Sequence, residues 1–157
     1  MKKISLLVII SCLSFSCSLY NDVSDSVYSS RIKKVAVYYH EDFEDLHILN
    51  DIIKYIQTHV KYASEEGDTW STAEETLTRG YGDCEDFAIL FMNIYYVVFG
   101  VESEMVLVDN RKIEEVKEGD VNHALVRLDN GKIISPRGGF TDITPVGYSY
   151  SFDELFN

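Results

Sequence analysis

Hydrophobic residues recur with a helical period in the first third of the chain. From Phe43 to about Tyr62, apolar side chains are spaced three or four positions apart at Leu46, Leu49, Ile53, Ile56 and Val60. This spacing places them on one stripe of an amphipathic helix. Just upstream, residues 33–40 are rich in valine and tyrosine and predict a short first strand.

Two further helices are indicated by the residues at their ends. Thr72 and Glu75 occupy the positions of a capping box, which predicts a short helix that stops near Gly80. The segment 84–99 is apolar almost all round, and Gly100 follows it. A helix without a polar face is typically buried at the centre of a domain.

The second half of the chain favours strands. The candidates are residues 101–108, 121–128, 132–135 and 143–148, and the turn sequence Asp-Asn-Gly at 129–131 predicts a hairpin between two of them. Helices that precede an antiparallel sheet predict an α+β domain. The aromatic tail from Tyr148 to Phe156 suits either an edge strand or a contact with a partner.

Composition and charge narrow the class of protein. A chain of 157 residues with 46 % hydrophobic residues predicts one globular domain with a core. Its 26 acidic and 14 basic residues give a formal net charge of −12. A surface this acidic repels phosphate backbones, so we expect no binding to nucleic acid.

The first residues have the pattern of an export signal. Two lysines precede the apolar run 4–10, which is about half of the ~20 residues that a transmembrane helix needs. We predict a signal peptide over 1–16, a polar tether over 17–31 and the folded domain over 32–157. Cys17 follows the small residue Ser16, as in a bacterial lipobox, and is the predicted lipidation site, with Cys12 as the alternative.

Cys84 is then the one thiol of the predicted mature domain. Its position in the first turn of the apolar helix lowers the thiol pKa, whereas the acids Asp83, Glu85 and Asp86 raise it. Sequence does not decide between these opposed effects. His123, in a predicted strand, is the natural partner for a nucleophilic thiol. The alternative is that Cys84 is a buried apolar residue and His123 an edge-strand histidine.

The segment 70–88 resembles the transglutaminase-like cysteine peptidase family. There, a tryptophan and a Glu-Thr-Leu helix lead into the motif Gly-Asp-Cys-Glu-Asp-Phe-Ala at 82–88. The segment 123–126 (His-Ala-Leu-Val) is similar to the family's histidine strand, and the resemblance extends over roughly residues 40–140. It implies a papain-like fold, in which a central helix carrying the cysteine packs on an antiparallel sheet.

The resemblance also implies roles for individual residues. Cys84 would be the nucleophile, and His123 the base that later protonates the leaving group. Ser135 stands where the family usually has a catalytic aspartate, and it can orient the imidazole but not stabilise its positive charge. Trp70 would line the substrate cleft, with a core aromatic as the equal alternative.

The acids beside the cysteine have two interpretations. In the family branch that cleaves surface adhesins, the acids at the positions of Asp83 and Glu85 bind calcium. Such carboxylates are also common caps of helices. We therefore expect a protein that requires no cofactor, with calcium as an optional ligand at these two residues.

The predicted function is that of an exported cysteine peptidase of the bacterial cell envelope, acting on protein or peptide substrates. Its contact with the membrane would be through the lipid anchor alone. Transglutaminase or amidase chemistry uses the same residues and stays open, as does the oligomeric state. The alternative from another class is a catalytically silent papain-like binding module.

Overall fold

The computed structural model describes residues 36–64, 69–109, 122–141 and 147–156. The predicted signal peptide, the tether and both lipidation candidates, Cys17 and Cys12, lie outside these residues. The described part contains helices and a five-stranded antiparallel sheet, which confirms the α+β fold class. The described helices are all too short or too polar to cross a bilayer.

The chain alternates short helices with short strands before its main sheet. A 3-10 helix, Glu41–Asp45, comes first. The α-helices are α1 (Leu49–His59), α2 (Ala73–Arg79), α3 (Cys84–Phe99) and α4 (Phe152–Phe156). The strands are β1 (Lys61–Tyr62), β2 (Tyr81–Gly82), β3 (Glu104–Val108), β4 (His123–Arg127), β5 (Ile133–Ser135), β6 (Gly139–Phe140) and β7 (Gly147–Tyr150). The main sheet has the order β6-β5-β4-β3-β7, while β1 and β2 form a separate parallel pair.

Helix α3 lies at the centre of the fold, as its apolar sequence predicts. It packs against β4 of the sheet and against α1 and α2. Ala124 and Val126 of β4 belong to the main core with α3, whereas Leu125 belongs to a smaller cluster. Because side chains of a strand alternate between its faces, that smaller cluster covers the opposite face of the sheet.

The predicted first strand is not a strand within its described residues, 36–40. Its backbone is paired instead with a side chain of α3. Asn93, fully buried, accepts from the Tyr38 N–H at 2.8 Å and donates to the Tyr38 carbonyl at 2.7 Å. A side-chain amide therefore supplies the hydrogen bonds that a neighbouring strand would have supplied.

The predicted helix from Phe43 to Tyr62 is divided in two. The backbone is extended at Leu46 and at Ile48, so the 3-10 helix ends at Asp45 and α1 begins at Leu49. Asp51 stabilises this late start, because its carboxylate accepts the N–H groups of His47 and Ile48, each at 3.3 Å. Competition from such a side-chain acceptor is a common reason for a helix to begin at a particular residue.

The helix ends and the hairpin follow the prediction closely. Thr72 and Glu75 form both hydrogen bonds of the capping box of α2, each side chain accepting the backbone N–H of the other residue. Gly80 ends that helix with a left-handed backbone conformation. Gly100 ends α3 in the same way. The turn at 129–131 connects β4 to β5. The tail was predicted only in part, because the edge strand β7 is followed by the short helix α4.

Candidate active site

The site predicted from Cys84 lies where α2, β2 and α3 meet. Gly80 ends α2, β2 follows at Tyr81–Gly82, and Asp83 is the N-cap residue of α3. Cys84 is therefore the first residue of the central helix, as the sequence predicts. The backbone N–H groups of the first turn of a helix have no partner within the helix and attract negative charge.

Asp86 holds this junction together. It is fully buried, accepts the Ser71 N–H at 2.8 Å and pairs with the Arg79 guanidinium at 2.7 Å. A Cβ atom at Gly82 would lie 2.7 Å from both Cβ and Oδ2 of Asp86, so only glycine fits there. From the sequence, Asp86 was expected only to raise the thiol pKa, whereas its structural role is to position the turn that carries Cys84.

The Cys84 thiol is 8 % exposed and donates to Oε2 of Glu85 at 3.0 Å. Burial raises the thiol pKa well above its ordinary range, and the charge and hydrogen bond of Glu85 raise it further. The backbone N–H of Ala124 acts in the opposite direction but with a smaller effect. The balance that sequence left open is therefore decided in favour of the protonated thiol, chiefly by burial.

His123 is the first residue of β4 and is half-buried. Burial lowers the pKa of its imidazole, and the positive charge of Arg137 lowers it further. Ala124 follows His123 in β4 and belongs to the same core cluster as Cys84, and its backbone N–H lies near enough to the sulfur to lower the thiol pKa. The fold thus brings the thiol to the beginning of the histidine strand.

The side chains of Cys84 and His123 are not hydrogen-bonded to each other. The thiol donates to Glu85, and within the described ranges the His123 ring has no hydrogen-bonding partner. A neutral imidazole beside a protonated thiol is the form that can accept a proton from sulfur. The structure therefore favours the uncharged form of each group, and it places the thiol in one core cluster with Ala124, the neighbour of His123.

Ser135 lies on β5, the strand that pairs with β4. Val126 pairs with Ile134 and Arg127 with Ile133, so Ser135 is level with Leu125, two residues from His123. The Ser135 carbonyl accepts the Gly138 N–H at 3.0 Å, while its hydroxyl makes no hydrogen bond to any residue that the structure describes. The predicted orienting role of Ser135 stays a prediction.

Arg137 is the residue near His123 that sequence analysis missed. The register of β4 and β5 is symmetric about Asn130, because Arg127 pairs with Ile133 and Val126 with Ile134. Strand β5 ends at Ser135, and Arg137 lies in the turn that follows, before β6. The effect of Arg137 on the His123 imidazole is therefore a tertiary one that the hairpin pattern does not predict.

Trp70 is a core residue. It is 5 % exposed, and its ring contacts Tyr150 edge-on with 5.4 Å between the ring centroids. Trp70 also borders a hollow of about 530 Å³ whose other walls come mainly from α2. Most of the Trp70 side chain is therefore packed in the core. Its predicted place in a substrate cleft stays a prediction.

The ligands predicted for calcium are two carboxyl groups, those of Asp83 and Glu85. Burial, together with the neighbouring carboxyl group of Glu85, raises the pKa of Asp83 to about 7. Calcium takes about six to eight oxygen ligands. Across the residues that the structure describes, no three His, Cys, Asp or Glu side chains converge as a metal group. These residues alone do not complete a calcium site.

A family model matches the chain. It describes the transglutaminase-like superfamily and covers residues 33–129, more than half of the sequence. This range includes Cys84 and His123 and ends before Ser135. No curated protein and no solved structure matches the chain. The fold agrees with this match, because a central helix that carries the cysteine packs on an antiparallel sheet. The match covers more than half of the sequence, and the chain therefore belongs to the transglutaminase-like superfamily.

Proposed function

We propose that this protein is an exported cysteine peptidase that cleaves protein or peptide amides through an acyl-enzyme. The observation that carries the proposal is the packing of Cys84 in one core cluster with Ala124, the residue next to His123, whose backbone N–H also lowers the thiol pKa. It supports a thiol and an imidazole working together at the end of a central helix, in a superfamily that includes cysteine-based enzymes.

The proposed reaction begins with transfer of the thiol proton of Cys84 to the neutral imidazole of His123. The thiolate attacks the substrate carbonyl, and the N–H groups at the start of α3 stabilise the negative oxygen that forms. His123 then donates its proton to the departing amine, so the C–N bond breaks and a thioester remains. Water activated by His123 releases the acyl group and restores the free thiol.

The carboxylate of Glu85 opposes the first step. It accepts the thiol hydrogen at 3.0 Å, and its charge destabilises the thiolate. We therefore infer that Cys84 must exchange its hydrogen bond with Glu85 for one with His123 before it can react. Arg137 favours the neutral imidazole, which is the form that accepts the proton.

The acceptor of the acyl group sets the outcome of the reaction. Water gives peptidase or amidase chemistry, and a substrate amine gives transglutaminase chemistry through the same Cys84 and His123. The proposed location is the bacterial cell envelope, with a lipid anchor at Cys17 as the contact with the membrane. Neither calcium nor any other cofactor takes part in the proposed steps.

A catalytically silent binding module is the second candidate function. Two observations favour it: the pKa of the Cys84 thiol is raised well above its usual range, and the Ser135 hydroxyl makes no hydrogen bond within the described residues. A superfamily scaffold that lacks a charged third residue would retain its fold while losing most of its rate.

Thiol alkylation separates the two candidates. We would use the full chain with Cys12→Ser and Cys17→Ser, so that Cys84 is the single thiol, and measure its labelling by iodoacetamide from pH 6 to 9. An enzyme requires labelling that falls severalfold in His123→Ala and is unchanged in His59→Ala, an exposed histidine of α1. Labelling that is equal in all three proteins contradicts the peptidase and supports the silent module.

A second variant tests the third position. Ser135→Asp adds the charge that the family usually has there, and it should increase the His123-dependent labelling if the imidazolium is poorly stabilised in the natural protein. Ser149→Asp, on the edge strand β7, is the matched control.

A further inference from the structure

A small hollow with an unusual charge lies beside the proposed catalytic residues. Its volume is about 300 Å³, and its walls come from α1, β1, α3 and the turn after β5. The lining residues are Gln57, Val60, Lys61, Tyr62, Phe87 and Arg137. Two of them are cations and none is an acid, although the chain has 26 acidic and only 14 basic residues.

Arg137 is held in place from two sides. Its guanidinium carbon lies 3.8 Å from the centroid of the Tyr62 ring, and its backbone carbonyl accepts a hydrogen bond from Gln57 at 2.5 Å. A guanidinium stacked on an aromatic ring keeps its in-plane N–H groups available for a planar anion. Arg137 is therefore presented to the hollow in a restricted orientation.

Neither cation of the hollow has an acidic partner in the described part of the chain. The ion pairs there involve Arg79 with Asp86, Arg127 with Glu104, and His40 with Asp42. Arg79 and Arg127 thus have carboxylates, whereas Arg137 and Lys61 do not. A restrained guanidinium with no counterion among the described residues is suited to bind a carboxylate from another molecule.

The hollow lies near the proposed site. Phe87, in its wall, lies one turn along α3 from Cys84. Arg137 is in the turn between β5 and β6, and its charge adds to burial in lowering the pKa of the His123 imidazole. A group bound at Arg137 would therefore lie close to an amide held between Cys84 and His123.

We propose that Arg137, assisted by Lys61, binds a carboxylate of the substrate near the scissile amide, so that this protein selects acidic peptide segments. The proposal rests on the proposed function, because it assigns a substrate class to the same Cys84 site. The carboxylate can come from an aspartate or glutamate side chain or from a peptide C-terminus. In both cases it accepts hydrogen bonds from the guanidinium over the Tyr62 ring.

A pair of alkylating reagents tests the cationic hollow without any substrate. Iodoacetate carries a carboxylate and iodoacetamide is its neutral counterpart, so the ratio of their rates at Cys84 measures attraction of a negative charge to the site. In the chain with Cys84 as its single thiol, Arg137→Gln should lower this ratio by about three- to tenfold. Arg137→Lys should restore part of it.

Lys132→Gln is the matched control. It also removes one positive charge and one cation lying over a ring, because the Lys132 ammonium is 5.5 Å from the centroid of Phe140. Lys132 is at the β4–β5 turn, away from His123. A ratio that falls equally in Arg137→Gln and Lys132→Gln, or in neither, overturns the proposal.

Peptides then distinguish the two sources of the carboxylate. We would compare three peptides as protectors of Cys84 against iodoacetamide: one with internal glutamates and an amidated end, one with glutamines and an amidated end, and the glutamine peptide with a free carboxylate. Stronger protection by the first or third peptide, lost in Arg137→Gln, identifies the source. Equal protection by all three contradicts the proposal.

The same measurements keep the two proposals apart. If iodoacetamide labelling is independent of His123 while acidic peptides still protect Cys84 through Arg137, the peptidase fails and an acidic-peptide binding site remains. If labelling depends on His123 but not on the charge of the reagent or peptide, the enzyme stands and the selectivity is wrong.

Discussion

The two ends of α3 are stabilised by different interactions. At its first turn, Asp86 is buried with a cation and a backbone N–H as partners, and the Cys84 thiol is buried beside carboxylates. Toward its other end, rings of Phe91 and Tyr95 stack with 5.9 Å between centroids, and Tyr96 contacts Phe152 of α4. One end is organised by polar contacts and the other by apolar packing.

This difference indicates which end supplies stability. Burial of apolar surface stabilises the fold in proportion to the area removed from water. Burial of charged or ionisable groups costs free energy unless each has a partner. The raised pKa values of Asp83 and Cys84 record that cost at the first turn, and the packed remainder of α3 offsets it. Substitutions at the two ends should therefore have separable effects on reactivity and on unfolding.

The largest effect is expected for Cys84→Ala. In the chain with Cys84 as its single thiol, it should abolish thiol labelling and lower any amide-cleaving activity by about 10⁴-fold or more, because the nucleophile is lost. The Tm should change little, since a small buried side chain is replaced by another. Peptide cleavage and thermal unfolding measured on the same sample check this. A large fall in Tm would show that the thiol is a packing residue.

Leu90→Ala, in the middle of α3, should have the opposite profile. Leu90 is fully buried in the main core. Its truncation should lower the free energy of unfolding by about 2–5 kcal/mol, through lost burial and the cavity that remains. Chemical denaturation measures this change, and labelling of Cys84 per folded molecule should stay as in the natural protein. Loss of Cys84 labelling in the folded state would contradict the expected separation between reactivity at the first turn of α3 and stability in the rest of the helix.

Asp86→Asn should affect both properties. The amide can still accept from the Ser71 N–H, but the Arg79 guanidinium loses its charged partner. We expect a loss of about 1.5–3 kcal/mol in stability, the range for hydrogen bonds to charged groups. The alkylation rate of Cys84 should also change, because Asp86 positions the turn at Gly82.

Thr76→Val is the control for Asp86→Asn. Thr76 is also buried, and its hydroxyl donates to the backbone carbonyl of Thr72, the N-cap residue of α2, at 2.9 Å. Its loss should lower stability without altering the rate at Cys84. Equal effects of the two variants on that rate would show that Asp86 has no special positioning role.

The smallest effect is expected for Asp83→Asn, and it depends on pH. The pKa of Asp83 is raised from 3.8 to about 7 in the folded state. Between these values the folded protein binds more protons than the unfolded one, so stability falls as pH rises. Asparagine is also a good N-cap residue. The variant should therefore have a Tm a few degrees higher at pH 8 and no advantage at pH 3.5.

Thermal unfolding across this pH range measures the difference between the natural protein and Asp83→Asn. Asp153→Asn, at an exposed position of α4, is the control and should show no such trend. A difference that is constant with pH would mean that Asp83 is not protonated near neutral pH in the fold.

The sequence by itself determined the elements whose signals are local. The capping box at Thr72, the left-handed glycines Gly80 and Gly100, and the Asp-Asn-Gly turn all act within a few residues of their own position. The apolar run of α3 also predicted its central place, because a helix without a polar face has to be covered on every side. These signals were sufficient for the α+β class and for Cys84 at the start of a buried helix.

The tertiary structure alone decided features that depend on residues distant in sequence. Tyr38 bonds to Asn93 rather than to a strand, and Arg137 rather than Ser135 acts on the charge of His123. The state of the Cys84 thiol also required the fold. The pKa of the thiol depends on its burial by the whole domain. The acids and the helix dipole near Cys84 in the sequence do not determine that burial. Propensity and turn chemistry are local, whereas desolvation and electrostatic pairing depend on which distant groups meet.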